Sequence, residues 1–139
     1  GDAGAKIDLI VRGACMLPGQ LTENIRVRSI IGRFLEHSRV FYFRTGAQEE
    51  LWLSSADWMN RNMLRRVETA WQVTDPVLRQ RIVDECLVAY LHDQCDAWIQ
   101  GPGGDYHSVV APGGAPGHSA QQALMARYGA KGPQEEEWI

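Results

Sequence analysis

Two side chains set two residues apart open the chemical reading: His37 and Arg39, in Glu36-His37-Ser38-Arg39. Alternate residues of an extended chain point to one face, so strand geometry beginning near Leu35 puts the imidazole beside the guanidinium. An imidazole can serve as nucleophile or as general acid and base, and a guanidinium can offset charge on transferring oxygens. Phosphoryl chemistry is a natural use of such a pair. His-x-Arg is nevertheless a short pattern, and a strand-edge histidine bonded to backbone and otherwise idle fits it too.

Other residues could join the pair. If Phe43 pairs with Leu51 in a hairpin, Arg39 lies opposite Ser55 and His37 opposite Asp57. An Asp facing a His would orient the ring and raise its basicity. A one-residue slip removes that pairing, and Asp57 reads equally as a turn or helix cap in Ser55-Ala56-Asp57-Trp58. Arg12 closes the apolar run Ile7-Asp8-Leu9-Ile10-Val11. Ligands of open α/β sheets gather at the carboxyl ends of strands, where Arg12 would meet a phosphate. An exposed arginine with no ligand is the competing view. Arg26 and Arg33 are seven apart and would share a helical face, with Arg28 pointing elsewhere.

These arginines belong to a local excess. Of 14 basic residues 12 are Arg, and nine of those fall between Arg12 and Arg66, against five acids. That window carries +4 and the remainder −7, giving the net charge of −3. Guanidinium forks match phosphate or carboxylate oxygens in bidentate fashion, although many surface arginines only solvate a face. Overall acidity, with no basic helix and no aromatic sheet motif, speaks against nucleic acid. His92, His107 and His118 have no metal-ligand spacing with one another or with the cysteines, and neither GxGxxG nor a Walker A sequence occurs.

The elements that must carry these groups follow from pattern. Ile7–Val11 reads as a buried strand. Cys15 to Gln20 is a loop marked by Pro18-Gly19. Thr22-Glu23-Asn24 offers a cap for a helix over Ile25–Leu35, which Gly32 weakens. Residues 38–54 read as a hairpin turning at Thr45-Gly46, followed by a loop or one helical turn over Trp58–Leu64. Arg66–Val73 alternates as a further strand. Thr74-Asp75-Pro76 starts a helix whose apolar period runs to about Trp98, with Cys86 on its packed face. From Gly101-Pro102-Gly103-Gly104 to Gly117 a mobile stretch is expected, then a short helix within Ser119–Tyr128 and a solvated acidic tail at Glu135–Glu137.

With 139 residues, 15.6 kDa and 45% apolar content, the chain is one small α/β domain with enough apolar side chains for a core. It holds no run of 18 apolar residues, so no transmembrane segment is expected. Gly1–Lys6 lacks the apolar centre of a signal peptide. Three scattered cysteines argue against a disulfide framework or zinc site and for a reducing, cytoplasmic setting. The chain opens directly on a core-like strand, so a piece of a longer polypeptide is expected.

Three blocks carry a resemblance: residues 6–13 (KIDLIVRG), 23–39 (ENIRVRSIIGRFLEHSR) and 53–62 (LSSADWMNRN). They resemble the last domain of family 1 bacterial polyphosphate kinase. The likeness is dense from residue 6 to about 99, and beyond Gly101 is limited to Ser119–Met125. The loop from Met16 to Gln20 is shorter than in some relatives. The resemblance implies a mixed β-sheet flanked by helices, a phospholipase D-like half over residues 1–100, with a linker and tail over 101–139. His37-Ser38-Arg39 and Ser54-Ser55-Ala56-Asp57 stand where the wider fold has His-x-Lys and a Gly-Ser-x-Asn-like segment.

It further implies a reaction. The γ-phosphoryl group of ATP passes reversibly to inorganic polyphosphate, with Mg2+, by way of a phosphohistidine in a preceding domain that this chain lacks. His37 is then the second family histidine, contacting nucleotide phosphates or assisting proton transfer, and Arg12 and Arg39 contact ATP or polyphosphate. Ser55, Asp57 and Arg26 are supporting residues. No metal ligand is expected in this chain, and the isolated chain is expected to be inactive. Implied partners are ATP or ADP, polyphosphate, the remaining domains of the same polypeptide, and further copies in a homo-oligomer. Peripheral association with a membrane is left open. Two other readings stand beside this one: a phospholipase D-type phosphodiesterase acting as a dimer, and a non-catalytic module for polyphosphate binding or oligomer contacts.

Overall fold

The computed structural model describes residues 1–17, 23–111, 113 and 116–129. Pro18-Gly19, the cap at Thr22 and the acidic tail at Glu135–Glu137 lie outside the described residues. In chain order the elements are β1 (Ile7–Val11), β2 (Ile25–Ile30), β3 (Val40–Thr45), β4 (Gln48–Ser54), α1 (Asn60–Arg65), β5 (Ala70–Gln72) and α2 (Pro76–Ile82). A π-helical segment (Val83–Val88) follows, then α3 (Ala89–Leu91), β6 (Ala97–Gln100), β7 (Tyr106–Ser108) and α4 (Ala120–Gly129). The expected mixed α/β class is what the chain forms. It divides into two compact units, one of residues Gly1–Glu36 with Ala89–Ile139 and one of residues His37–Val88.

The first unit holds a four-stranded sheet in the order β1-β2-β6-β7, with β1 parallel to β2 and the other pairs antiparallel. The helix expected over 25–35 is instead strand β2. The sequence Ile25-Arg26-Val27-Arg28-Ser29 alternates with period two, and β-branched side chains favour a pleated surface. Val27 and Ser29 are buried while Arg26 is exposed. Gly32 follows the strand for a different reason from helix weakness. A Cβ there would come within 2.5 Å of the Gln121 side-chain oxygen on α4.

The helix expected to reach Trp98 ends at Leu91, and Ala97–Gln100 is strand β6. Asp93 is fully buried and redirects the chain. One carboxylate oxygen accepts from Cys95 N at 3.0 Å and Asp96 N at 2.7 Å. The other accepts from Ala120 N, the first residue of α4, at 2.8 Å. A carboxylate that takes three backbone donors both closes a turn and caps a distant helix, satisfying amides that would otherwise be orphaned. Part of the stretch expected as a linker, Tyr106–Ser108, is strand β7. Gly101–Gly104 is the connection of the β6–β7 hairpin, with Gly101 N donating to Asp105 O at 2.7 Å. The short helix within Ser119–Tyr128 is α4, in the same unit.

The second unit is built on a three-stranded antiparallel sheet, β3-β4-β5. Gly46 and Ala47 connect β3 to β4, and Gly46 has φ +61°. Glycine in the left-handed region at the first central position fits a two-residue type II′ turn, whose twist matches the flanking strands. That turn pairs Thr45 with Gln48 and therefore Phe43 with Glu50, one residue from the expected register. The expected strand over 66–73 is shorter, spanning Ala70–Gln72, and Val67 is almost fully exposed. α1 supplies the helical turn expected within 58–64. α2 starts where Thr74-Asp75-Pro76 predicts, with Asp75 accepting from Val77 N and Leu78 N, each at 2.8 Å. Leu51 is the fully buried side chain at the centre of this unit.

Candidate functional site

His37, Arg39 and Asp57 come together in the second unit. Val40 begins β3, so both chemical residues sit in the approach to the strand rather than on it. The pairing nevertheless extends to them, because Arg39 O accepts from Ser54 N at 3.0 Å. This keeps the local chain extended and sends alternate side chains the same way. Arg39 Nε donates to Asp57 Oδ1 at 2.9 Å, with side-chain exposures of 17% and 27%. Arg39 Nη2 lies 2.6 Å from His37 Nε2, and Nη1 lies 3.5 Å from Nδ1. The hydrogen bond to Asp57 holds the Arg39 guanidinium above its ordinary pKa, against burial, with the charges of Asp57 and Glu68 adding to it.

The expected Asp57–His37 contact is thus replaced by a chain of three. The one-residue change in register puts Arg39 beside Ser54, and the carboxylate reaches the guanidinium instead of the ring. Asp57 is set by its own turn. Its carbonyl accepts from Met59 N at 2.7 Å and from Asn62 Nδ2 at 3.3 Å, and the preceding Ala56 N donates to Ser54 Oγ at 3.1 Å. Asn62 was not among the expected residues, and no pattern in Trp58-Met59-Asn60-Arg61-Asn62 marks it. Ser55 lies near but is occupied: its hydroxyl donates to Glu68 at 2.5 Å and accepts from Thr69 N at 3.0 Å.

The remaining expected residues belong to the first unit. Arg12 follows β1 as predicted, and its Nη1 donates to the carbonyl of Glu36 at 3.1 Å. Arg26 forms a two-point ion pair with Asp8, at 2.7 and 3.0 Å, while 72% exposed, and that hydrogen bond raises its pKa. Because β1 and β2 are parallel, Asp8 and Arg26 share a level of the sheet roughly 13 Å from Arg12, at about 3.3 Å per residue. Arg28 spans the chain, donating to Tyr90 O at 3.3 Å and Asp93 O at 2.8 Å. Burial lowers its pKa, with the Asp93 charge opposing.

Among the described residues no three His, Cys, Asp or Glu side chains gather as a cation site. The Asp57 carboxylate beside Arg39 is engaged with the guanidinium. These residues do not fit a magnesium cage.

The fold and site define an α/β domain carrying an imidazole–guanidinium–carboxylate cluster. Its relatives place it further. The family described as polyphosphate kinase C-terminal domain 2 matches residues 1–121. The chain is 50% identical to a polyphosphate kinase of Paraburkholderia phytofirmans over 130 residues, which is 91% of this chain and 18% of that protein. It is 53% identical to one of Neisseria meningitidis over 107 residues, 75% of this chain and 16% of that protein. The crystal structure of polyphosphate kinase from Porphyromonas gingivalis superposes with a TM-score of 0.82 at 38% identity, covering 93% of this chain and 20% of that one. The chain belongs to the polyphosphate kinase C-terminal domain family. It spans under a fifth of the length of the curated relatives it matches.

Proposed function

We propose that this domain serves an ATP–polyphosphate phosphotransferase, supplying groups that contact phosphates while a histidine outside the chain carries the phosphoryl group. The observation that bears most weight is His37 Nε2 at 2.6 Å from an Arg39 that Asp57 holds in place. Phosphoryl transfer asks a protein for positioning and charge offset more than for covalent machinery. A braced cation next to an exposed imidazole offers both. His37 would contact the transferring group or a neighbouring phosphate and Arg39 would offset charge on its oxygens, while Arg12, in the first unit, would contact phosphate in its own right. Ser55 and Arg26 would be supporting residues, their side chains held by Glu68 and Asp8.

In this reading the substrates are ATP or ADP and polyphosphate, and the further partners are the other domains of a longer polypeptide and copies of it. Magnesium would arrive with the phosphates, held by residues elsewhere. Cys15, Cys86 and Cys95 form no disulfide among the described residues, which suits a reducing cytoplasm. No helix among the described residues is long and apolar enough to cross a membrane.

The deciding experiment is His37→Ala in a full-length polyphosphate kinase that carries this domain. Turnover should fall roughly 100- to 10,000-fold with assembly unchanged, the range expected when a positioned acid–base group is lost. Normal specific activity would overturn the proposal. Incubated alone with labelled ATP and magnesium, the chain should take up no stable label.

A further inference from the structure

The contacts of Arg39 assign a direction to the His37 ring. A guanidinium carries only donors and never accepts. Its Nη2, 2.6 Å from His37 Nε2, therefore needs a lone pair on that nitrogen. A neutral imidazole that accepts at Nε2 keeps its proton on Nδ1. Nη1, 3.5 Å from Nδ1, is at the outer limit of hydrogen bonding, and two donors facing each other make no bond. His37 is exposed, so the Nδ1–H can reach a ligand.

What fixes the guanidinium lies behind it. Asp57 takes the Arg39 Nε–H at 2.9 Å, and with side chains 17% and 27% exposed this pair is better shielded than the surface pair Arg26–Asp8. A charge-assisted hydrogen bond at Nε fixes the plane of the fork and hence where Nη2 points. Asp57 is held in turn by Asn62, whose Nδ2 donates to the Asp57 carbonyl at 3.3 Å. Asn62 is only 4% exposed, and its buried Oδ1 has no hydrogen-bond partner among the described residues. A buried amide with half its capacity unmet is disfavoured unless the other half is needed. The half in use is the bond to Asp57.

We infer that Asp57 and Asn62 are positioning residues that, acting through Arg39, keep the neutral His37 ring protonated on Nδ1 and present that N–H to a phosphoryl oxygen. In the ligand-free chain His37 is thus set as a hydrogen-bond donor, its Nε2 lone pair engaged by Arg39. Of the five N–H groups of Arg39 two are used, on Asp57 and His37, and three remain for phosphate oxygens. Only the identity of the acceptor rests on the proposed function; the tautomer and its two supports do not.

The test is nuclear magnetic resonance on this 15N-labelled chain at about pH 9, where free imidazole is neutral. Long-range correlations from the ring protons report the tautomer of each histidine. His37 should show its proton on Nδ1, and exposed His92 supplies the ordinary solution mixture for comparison. Asp57→Asn and Asn62→Ala should each lower the Nδ1-H to Nε2-H ratio of His37, by roughly threefold or more, with Asp57→Asn the larger because a charge is lost. His92 should not change. A wild-type His37 protonated on Nε2 overturns the inference even if neither variant folds. Folded variants with an unchanged ratio overturn the positioning role. The proposed function fails separately, through an active His37→Ala enzyme, and neither result dictates the other.

Discussion

Polar side chains reach over different spans in the two units. In the first, several hold backbone that lies far along the chain. Asp93 binds three amides, Arg28 binds two carbonyls, and Gln121 grips Phe34 at both its amide (2.9 Å) and its carbonyl (2.8 Å). These contacts bridge residues as far as 87 apart in sequence. In the second unit the polar side chains of the site hold one another, as in Asp57–Arg39–His37 and Ser55–Glu68, across at most 18 residues, and the ion pair Arg79–Glu49 at 3.9 Å reaches further. That unit also leaves Trp58, Leu64, Val67 and Trp71 at least half exposed, and Leu51 is its one large side chain with no exposure. Long-range polar contacts make a sheet from distant strands, whereas a hairpin needs little more than its turn.

The contrast can be broken most directly at Asp93. Removing its carboxylate in Asp93→Ala takes the partner from three backbone amides, one of them buried, so denaturant unfolding should show a loss of about 3 kcal/mol, with Asp93→Asn losing less. A loss under about 1 kcal/mol would mean that these amides find other partners, and the contrast would fail.

A smaller effect is expected from Tyr42, in the second unit. Burial first, then the hydrogen bond to Glu49, raises its pKa above the ordinary 10.0, with the Glu49 charge adding and Arg44 and Arg79 opposing. A raised pKa means that the folded state holds the proton more tightly, so this stabilisation is intact below pH 10 and declines as pH rises through the folded-state value. Tyr42→Phe should flatten the alkaline limb of the stability profile and leave the neutral region near wild type. A limb equally steep in the variant would assign it to other groups.

The smallest effect should come from Arg26→Ala. Its ion pair with Asp8 is geometrically good but 72% exposed at the arginine. Exposed pairs contribute roughly 0–1 kcal/mol, so the unfolding midpoint should barely move and its slight shift should vanish at high salt. A large loss would place a backbone-holding role on Arg26 as well.

Much of this was legible in the amino-acid order. Ile7–Val11, the hairpin and the Thr74-Asp75-Pro76 helix start are local signals, and the chain obeys them. The pairing of His37 with Arg39 follows from two-residue spacing. At β2 two periods compete: apolar positions 27, 30 and 31 fit a helical face, but Ile-Arg-Val-Arg-Ser carries the two-residue period, and the strand wins. The hairpin register was also available, since a glycine opening a two-residue turn pairs Thr45 with Gln48. The end of the helical run at Leu91 was not available. It depends on an Asp93 carboxylate meeting an amide 27 residues away, and no local pattern encodes that. Asn62 escaped for a related reason, because its use is a carbonyl reached only once the turn has formed.

Gln121 has a practical consequence for anyone trimming this domain. Its amide acts as a substitute strand partner for Phe34, and it also donates to the Glu36 carboxylate at 2.6 Å. Ala120, one residue earlier, feeds Asp93. A shortened version stopping at the glycine-rich hairpin would keep all three blocks that mark the family yet hand the main chain at Phe34 to water. The safe cut therefore lies beyond the first turn of α4, not where sequence likeness thins out.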